Sequence, residues 1–198
     1  PHQGPADAAP PLLDNGAAVD RAASNGREDG ATPLFIACQN GHVDAARLLL
    51  DKGAEVDRAT KKGRHAARGD YGGDTPLIIA CKNGHADVAR LLLDNGAEVD
   101  RADEDGCTPL YIACRNGHVD AARLLLDNGA DVHKVSNDNR TPLHGASYNG
   151  HIDVVRLLLA NGANADLDVK DKHGDTPVAD AKSKGHSSIV ALLAEHRK

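Results

Sequence analysis

The sequence predicts an all-α repeat solenoid, a stack of helix–turn–helix units in place of one thick-cored domain. Three observations carry that reading. Thr-Pro-Leu recurs at Thr32, Thr75, Thr108 and Thr141, with Thr-Pro-Val at Thr176, at intervals of 43, 33, 33 and 35 residues. A Gly-His pair follows each threonine, with the imidazole at His42, His85, His118, His151 and His186. Leucine runs then begin at Leu48, Leu91, Leu124 and Leu157, and each closes on Gly-Ala at Gly53, Gly96, Gly129 or Gly162. Landmarks recurring in one order at a fixed period mark a single supersecondary unit copied along the chain.

Each landmark has a local physical reason. Thr108 suits an N-cap, and Pro109 suits the first helical position, where a missing N–H costs nothing. The first helix ends at Asn116-Gly117. His118 opens the second, Val119 to Asp127, with Ala122, Leu125 and Leu126 on one face, and Gly129 supplies the left-handed terminator. The polar link between units turns at Asp103-Glu104-Asp105-Gly106, where glycine provides the positive φ. Asn139, the next-best left-handed residue, stands at that place in the following unit.

The motif T-P-L-H-x-A in a 33-residue period resembles the ankyrin repeat family, over roughly residues 12 to 198. His144 alone keeps the family's histidine; Phe35 and Tyr111 replace it and are expected half-buried between repeats. The resemblance implies β-hairpin fingers between helix pairs. It implies a Gly-His imidazole that ties turn to backbone, and a concave groove formed by fingers and first helices.

The register divides the chain into a lead-in and partial repeat (1–26), repeats at 27–59, 70–102, 103–135 and 136–170, a basic finger insertion at 60–69, and a capping repeat at 171–198. Leu12 to Ala17 match only the close of a second helix, so the chain is expected to begin inside a repeat. At the other end Ser183, Lys184, Ser187 and Ser188 give the last unit a polar outer face, as a solenoid cap requires. Two fingers are long. After Arg58 the next Thr-Pro-Leu starts seventeen residues on, against seven after Arg101. Either Gly63-Arg64 makes the turn and His65 to Asp74 are additional, or Gly73-Asp74 makes it. In the first finger Gly26-Arg27 is read as the turn, with Glu28 to Ala31 additional. Arg58, Lys61, Lys62, Arg64 and Arg68 form the one acid-free basic run, read as a solvated loop; a nuclear-import signal or a grip on an acidic partner are the other readings.

Composition narrows function. The 198 residues carry a net charge of −6, which argues against nucleic acid as the main partner. Aromatics make up 2%, with no Met and no Trp, so the interior must be thin layers of aliphatic side chains. No apolar run approaches the ~20 residues of a membrane span. Cys38, Cys81 and Cys114 share one repeat position and are read as small buried hydrophobes. Cys107 is expected exposed in a turn. Without C-x-x-C pairs or a disulfide framework, the thiols suggest a reducing compartment, cytoplasmic with the nucleus open, and no bound metal or cofactor.

No catalytic constellation is present: the histidines repeat instead of converging. Asp44 and Arg47, Asp87 and Arg90, Asp120 and Arg123, and Asp153 and Arg156 are expected to pair at i,i+3 on a solvent face. Variation concentrates just before Thr-Pro (Ala31, Asp74, Cys107, Arg140, Asp175) and seven residues after Thr (Gln39, Lys82, Arg115, Tyr148, Ser183). In the family both places line the groove. The chain is therefore expected to be a monomeric, non-catalytic module that binds a protein partner. Tyr111, Arg115, Arg140 and Tyr148 are the expected anchors, flanked by Asp103, Glu104 and Asp105 and extended by Lys82 and Tyr71. The rival readings are the targeting part of a larger enzyme, which the full reading frame would reveal, and a spacer without a specific partner.

Overall fold

The computed structural model describes residues 19–21, 30–61 and 72–197. Tyr71, most of the basic run and the Gly26-Arg27 turn lie outside them. Ten α-helices pair in order among the described residues: α1 Pro33–Gln39 with α2 Val43–Asp51, α3 Pro76–Lys82 with α4 Ala86–Asp94, α5 Pro109–Asn116 with α6 Val119–Asp127, α7 Pro142–Asn149 with α8 Ile152–Ala160, and α9 Pro177–Ser183 with α10 Ser187–His196. First helices pack on first helices and second on second, each touching its own partner and the next pair.

The Thr-Pro starts work as the sequence requires. Thr32, Thr75 and Thr108 accept the N–H of Phe35, Ile78 and Tyr111 at 3.1, 3.2 and 3.1 Å. Thr141 goes further. Its hydroxyl accepts from His144 N at 3.4 Å while its own N–H donates to His144 Nδ1 at 3.2 Å, closing a capping box. His144 Nε2 donates to the Asp175 carbonyl at 3.2 Å, so this fully buried imidazole is held neutral. Burial accordingly lowers its pKa from the ordinary histidine value. Where His144 is replaced, the site turns apolar. Ile78 and Tyr111 cluster with Cys107 and Ile112, and Phe35 and Tyr111 are both 6% exposed, so they are buried outright and not half-buried.

The Gly-His imidazoles join repeats. His85, His118, His151 and His186 donate from Nε2 to the carbonyls of Gln39, Lys82, Arg115 and Tyr148 in the preceding first helix, at 3.1 to 3.2 Å. A β-carbon on Gly84 would lie 2.5 Å from the His118 ring, so glycine here serves close approach as well as its φ of +76°. A second inter-repeat tie runs at the base of the fingers. The carboxylates of Asp20, Asp57 and Asp100 accept from Glu55 N, Glu98 N and Asp131 N at 3.0 to 3.1 Å. His133 stands in this register in the next repeat. Its Nδ1 meets Asp166 Oδ1 at 2.9 Å, delivered by a 3-10 turn at Ala163–Asp166 that accounts for the 35-residue spacing.

The fingers stop short of strands: none is present among the described residues. Each is a turn closed by two backbone bonds, Asp103 N to Cys107 O at 3.1 Å with Gly106 N to Asp103 O at 3.0 Å, and Ser136 N to Arg140 O at 3.0 Å with Asn139 N to Ser136 O at 2.9 Å. Neighbouring fingers are laced by Glu104 N to Gly72 O, Asn137 N to Asp105 O and Lys172 N to Asp138 O, at 2.9 to 3.0 Å. This ladder decides between the two readings of the long finger. Thr60 N donates to Asp74 O at 3.0 Å and Gly73 N to Thr60 O at 3.1 Å, so Gly73-Asp74 takes the turn place. Gly30, with φ +91°, backs onto Lys61 N as Gly73 backs onto Glu104 N, so Gly30-Ala31 takes the corresponding place in the first finger, and the Gly26-Arg27 reading lies outside the described residues.

The capping unit buries Ile189, Leu192 and Leu193, while Ser183, Lys184, Ser187 and Ser188 face solvent. Among the described residues no helix is long and apolar enough to cross a membrane.

Candidate functional site

The fingers and first helices enclose a concavity of about 490 Å³ at the 103–135 and 136–170 repeats, lined among others by Asp105, Tyr111, Arg115, Arg140, Gly145 and Tyr148. The laced fingers form one wall. The other is set by the C-terminal ends of α5 and α7, which project Arg115 and Tyr148 from the place seven residues after the capping threonine. Both are half-buried. Tyr148 holds two cations over its ring, with Arg140 Cζ 5.0 Å and Lys184 Nζ 4.3 Å from the centroid.

Arg140 does double duty. Its guanidinium donates to Asp180 Oδ2 at 2.5 Å and lies 3.9 Å from Asp171 Oδ2, which struts its repeat against the last one. Burial raises the Asp180 carboxyl above the ordinary value, with Arg140 pulling against it. For Asp171 burial also raises, but the backbone N–H groups of Asp175 and His173 and the Arg140 cation outweigh it and hold the carboxyl low. Asp171, Asp175 and Asp180 are the one carboxylate group among the described residues close enough to share a cation, and Arg140 already serves two of them.

The expected site residues fall into three sets. Arg115, Arg140 and Tyr148 come together at the concavity, Asp105 lines it half-buried, and exposed Glu104 stands beside Asp105 on the same finger. Lys82 lies along the same row one repeat earlier, 3.7 Å from the buried Asp74 carboxylate. Tyr71 lies outside the described residues. Two expectations are corrected. Tyr111 is 6% exposed, so its ring packs between helices. Asp103 is 7% exposed and folds back on its own turn: Oδ1 accepts from Asp105 N at 2.9 Å and Cys107 N at 2.8 Å, and burial lifts its carboxyl above the usual range.

Three further readings change. Cys107 is buried, and burial pushes its thiol up to about 12, the same level as Cys38 and Cys81. The place before Thr-Pro is not a display position throughout, because Ala31, Asp74 and Cys107 are buried there and only Arg140 and Asp175 reach outward. The i,i+3 Asp–Arg pairs of the second helices do not close to ion-pair distance. The pairs of that spacing that form are Arg58–Glu55 and Arg101–Glu98, at 3.7 and 3.5 Å, outside the helices.

Sequence reasoning passed over Gly145, although its signal was present: the same helix position holds Ile36, Ile79 and Ile112 in the earlier repeats. Lys184 was read only as part of a polar cap, and its place over Tyr148 required the fold.

A family model for ankyrin repeats, three copies long, matches residues 60–136 and 129–198. The model for a single ankyrin repeat matches residues 29–61. No individual curated protein matches the chain.

Proposed function

This chain belongs to the ankyrin repeat family, and we propose that it binds its protein partner through the groove at Arg115 and Tyr148. Repeats of this family are as a rule protein–protein interaction modules without catalysis of their own. The observation that carries the finer reading is a contrast between two faces. The concave wall differs from repeat to repeat, running Gln39, Lys82, Arg115, Tyr148, Ser183. The second helices present Asp and Arg in the same places in four repeats. A face that varies against a fixed scaffold is where specificity is written.

Arg115 and Tyr148 belong to the residue types enriched among interface hot spots. Arg140 contributes as the support of Tyr148, Glu104 and Asp105 as the acidic edge that repels acidic competitors, and Lys82 as the extension of the row. The test is capture of partners from cell extract, followed by affinity measurement on the isolated pair. Arg115→Ala with Tyr148→Ala is expected to weaken binding by at least ~2 kcal/mol with the fold intact. Arg123→Ala with Arg156→Ala, on the second-helix face, is expected to do far less. The reverse order would move the site to the convex side.

A further inference from the structure

Asparagine stands directly before a positive-φ glycine at most helix ends of the described residues. First helices end so at Asn40, Asn83, Asn116 and Asn149, and second helices at Asn95, Asn128 and Asn161. Asparagine is thermolabile, and most so before glycine, whose missing side chain lets its amide nitrogen reach the asparagine Cγ. The fold opposes that attack in three ways. The glycine N–H is engaged: Gly41, Gly84 and Gly117 donate to the carbonyls of Cys38, Cys81 and Cys114 at 3.3 Å, and Gly129 to that of Leu126 at 3.0 Å. The asparagine ψ is 0° at Asn40 and Asn83 and 15° at Asn128, which turns the glycine nitrogen away from the side chain. The side-chain amide is held too. Asn40 and Asn128 donate from Nδ2 to Ile36 O and Leu124 O at 2.8 Å, within their own helices. Asn83 and Asn116 reach Gln39 O and Lys82 O of the preceding first helix, at 2.9 and 3.0 Å.

Reaction therefore waits on local opening, which is easiest where a unit is least covered. Asn40 is exposed and lies in that unit. Its helix α2 buries Ala46 alone and leaves Leu48 47% exposed, whereas α6 buries Ala121, Ala122, Leu124 and Leu125. The Asn40 side chain ties only to its own helix, and His42 beside it has no inter-repeat bond among the described residues. At the other end of the stack α9 closes on Lys184-Gly185, so the capping unit holds no such pair.

We propose that Asn40-Gly41 is a self-modification site, gated by opening of the α1–α2 unit. When the turn opens, the Gly41 nitrogen gives up its proton to water and bonds to Asn40 Cγ. The Cγ–Nδ2 bond breaks and the amide leaves as ammonia. Water then opens the cyclic imide at either carbonyl, giving aspartate or isoaspartate without oxidant or reductant. Either product puts a negative charge at the C-terminal end of α1, which the helix dipole disfavours, and takes the Nδ2 donor from Ile36 O. Isoaspartate also adds a carbon to the backbone beside the His85 ring, which lies 2.7 Å from where a β-carbon on Gly41 would sit. That imidazole joins the next unit through Gln39 O at 3.1 Å. The modification is one-way, and it loosens the unit whose opening allowed it.

Trypsin places each of these asparagines in a peptide of its own, so one digest reads every rate. The full chain is aged at neutral pH, natively and in urea, and deamidation and isoaspartate are followed by mass spectrometry. The urea rate of each peptide is its unprotected reference. In the native chain the protection of Asn40 is expected to be ~10-fold or more weaker than that of Asn116 and Asn128. Leu49→Ala, which loosens α2, is expected to speed Asn40 by ~5-fold or more and to leave Asn128 unchanged. Should that variant not fold, hydrogen exchange of the parent chain takes its place, with the Gly41 amide expected to exchange faster than those of Gly117 and Gly129. Equal protection at all sites, a lead taken by Asn116 or Asn128, or an Asn40 rate indifferent to Leu49→Ala would overturn the site.

Discussion

Helices α2 and α6 are the same nine residues, VDAARLLLD, in two places in the stack. In α6 the buried set is Ala121, Ala122, Leu124 and Leu125; in α2 it is Ala46 alone. Leu48 is 47% exposed, and its counterpart Leu124 is 4% exposed. Identical propensity and identical amphipathic pattern thus give different burial. What differs is the neighbours: α6 is flanked by α4 and α8, whereas α2 meets one second helix, α4, among the described residues. The same holds for the residue that opens each helix. His118 reaches the Lys82 carbonyl, whereas among the described residues His42 has no such inter-repeat bond and is exposed. Core membership in this fold is conferred by the adjacent repeat, which is the physical content of nearest-neighbour stability in a solenoid.

The strongest way to break that comparison is to truncate equivalent leucines. Leu125→Ala removes a fully buried side chain with helices on both sides and is expected to cost ~2–5 kcal/mol. Leu49→Ala, the same change in a half-buried counterpart, is expected to cost less than about half of that, since both the lost burial and the cavity are smaller. Urea midpoints of the two variants decide it. Equal losses would mean that α2 is as enclosed as α6.

The histidine pair sharpens the comparison at lower energy. His118→Ala deletes an inter-repeat hydrogen bond and leaves the Lys82 carbonyl with Asn116 Nδ2 at 3.0 Å, an expected loss of about 1 kcal/mol. His42→Ala has no such bond to lose and is expected to fall within about 0.5 kcal/mol of the parent. Thermal unfolding of both, side by side, checks this.

His144 adds a dependence on pH that neither helix comparison contains. Its folded pKa lies below the ordinary value of 6.5, burial being the largest cause. The folded chain therefore resists a proton that the unfolded chain accepts, and the contribution present above that value is lost as pH falls toward the folded pKa. Protonation at Nδ1 would also expel the Thr141 N–H from the capping box. The unfolding midpoint is expected to drop between about pH 7.5 and about 5.5. His144→Gln keeps a capping-box acceptor without titrating, and an equally steep drop in that variant would remove His144 as the source.

The fold was legible because packing repeats itself: Thr108, Pro109, Gly117 and Leu125 have counterparts in all five repeats and Gly129 in four. The proposed binding surface was legible only where its residues point away from packing, at Arg115 and Tyr148. Tyr111 and Asp103 misled because residue type says nothing of direction; the same phenol or carboxylate serves an interface or its own turn according to the neighbouring helix. Cys107 misled in the same way, since a turn position that is open in an isolated unit is roofed by the adjoining repeats. The turn of the long finger could not be chosen from sequence, because a glycine at either Gly63 or Gly73 suits a turn, and the bonds of Thr60 with Gly73 and Asp74 identify the second.

The smallest expected effect comes from the second-helix charges. Asp120 and Arg123 have the right spacing on α6 for an ion pair, both are exposed, and they do not close to 4.0 Å. The i,i+3 pair that does form nearby, Arg101 with Glu98 at 3.5 Å, keeps side-chain exposures of 42% and 67%. Water and salt screen such a pair, and two long side chains lose freedom to hold it, so even formed pairs of this kind contribute little. Arg123→Ala removes a charge without a partner and exchanges arginine for the best helix former. The two changes nearly offset, and the unfolding midpoint is expected to stay within about 0.5 kcal/mol of the parent, with no dependence on salt. A larger loss that added salt abolishes would show that the Asp–Arg rows on this face act together across repeats. The identical motifs of α2 and α6 would then differ in their charges as well as in their leucines.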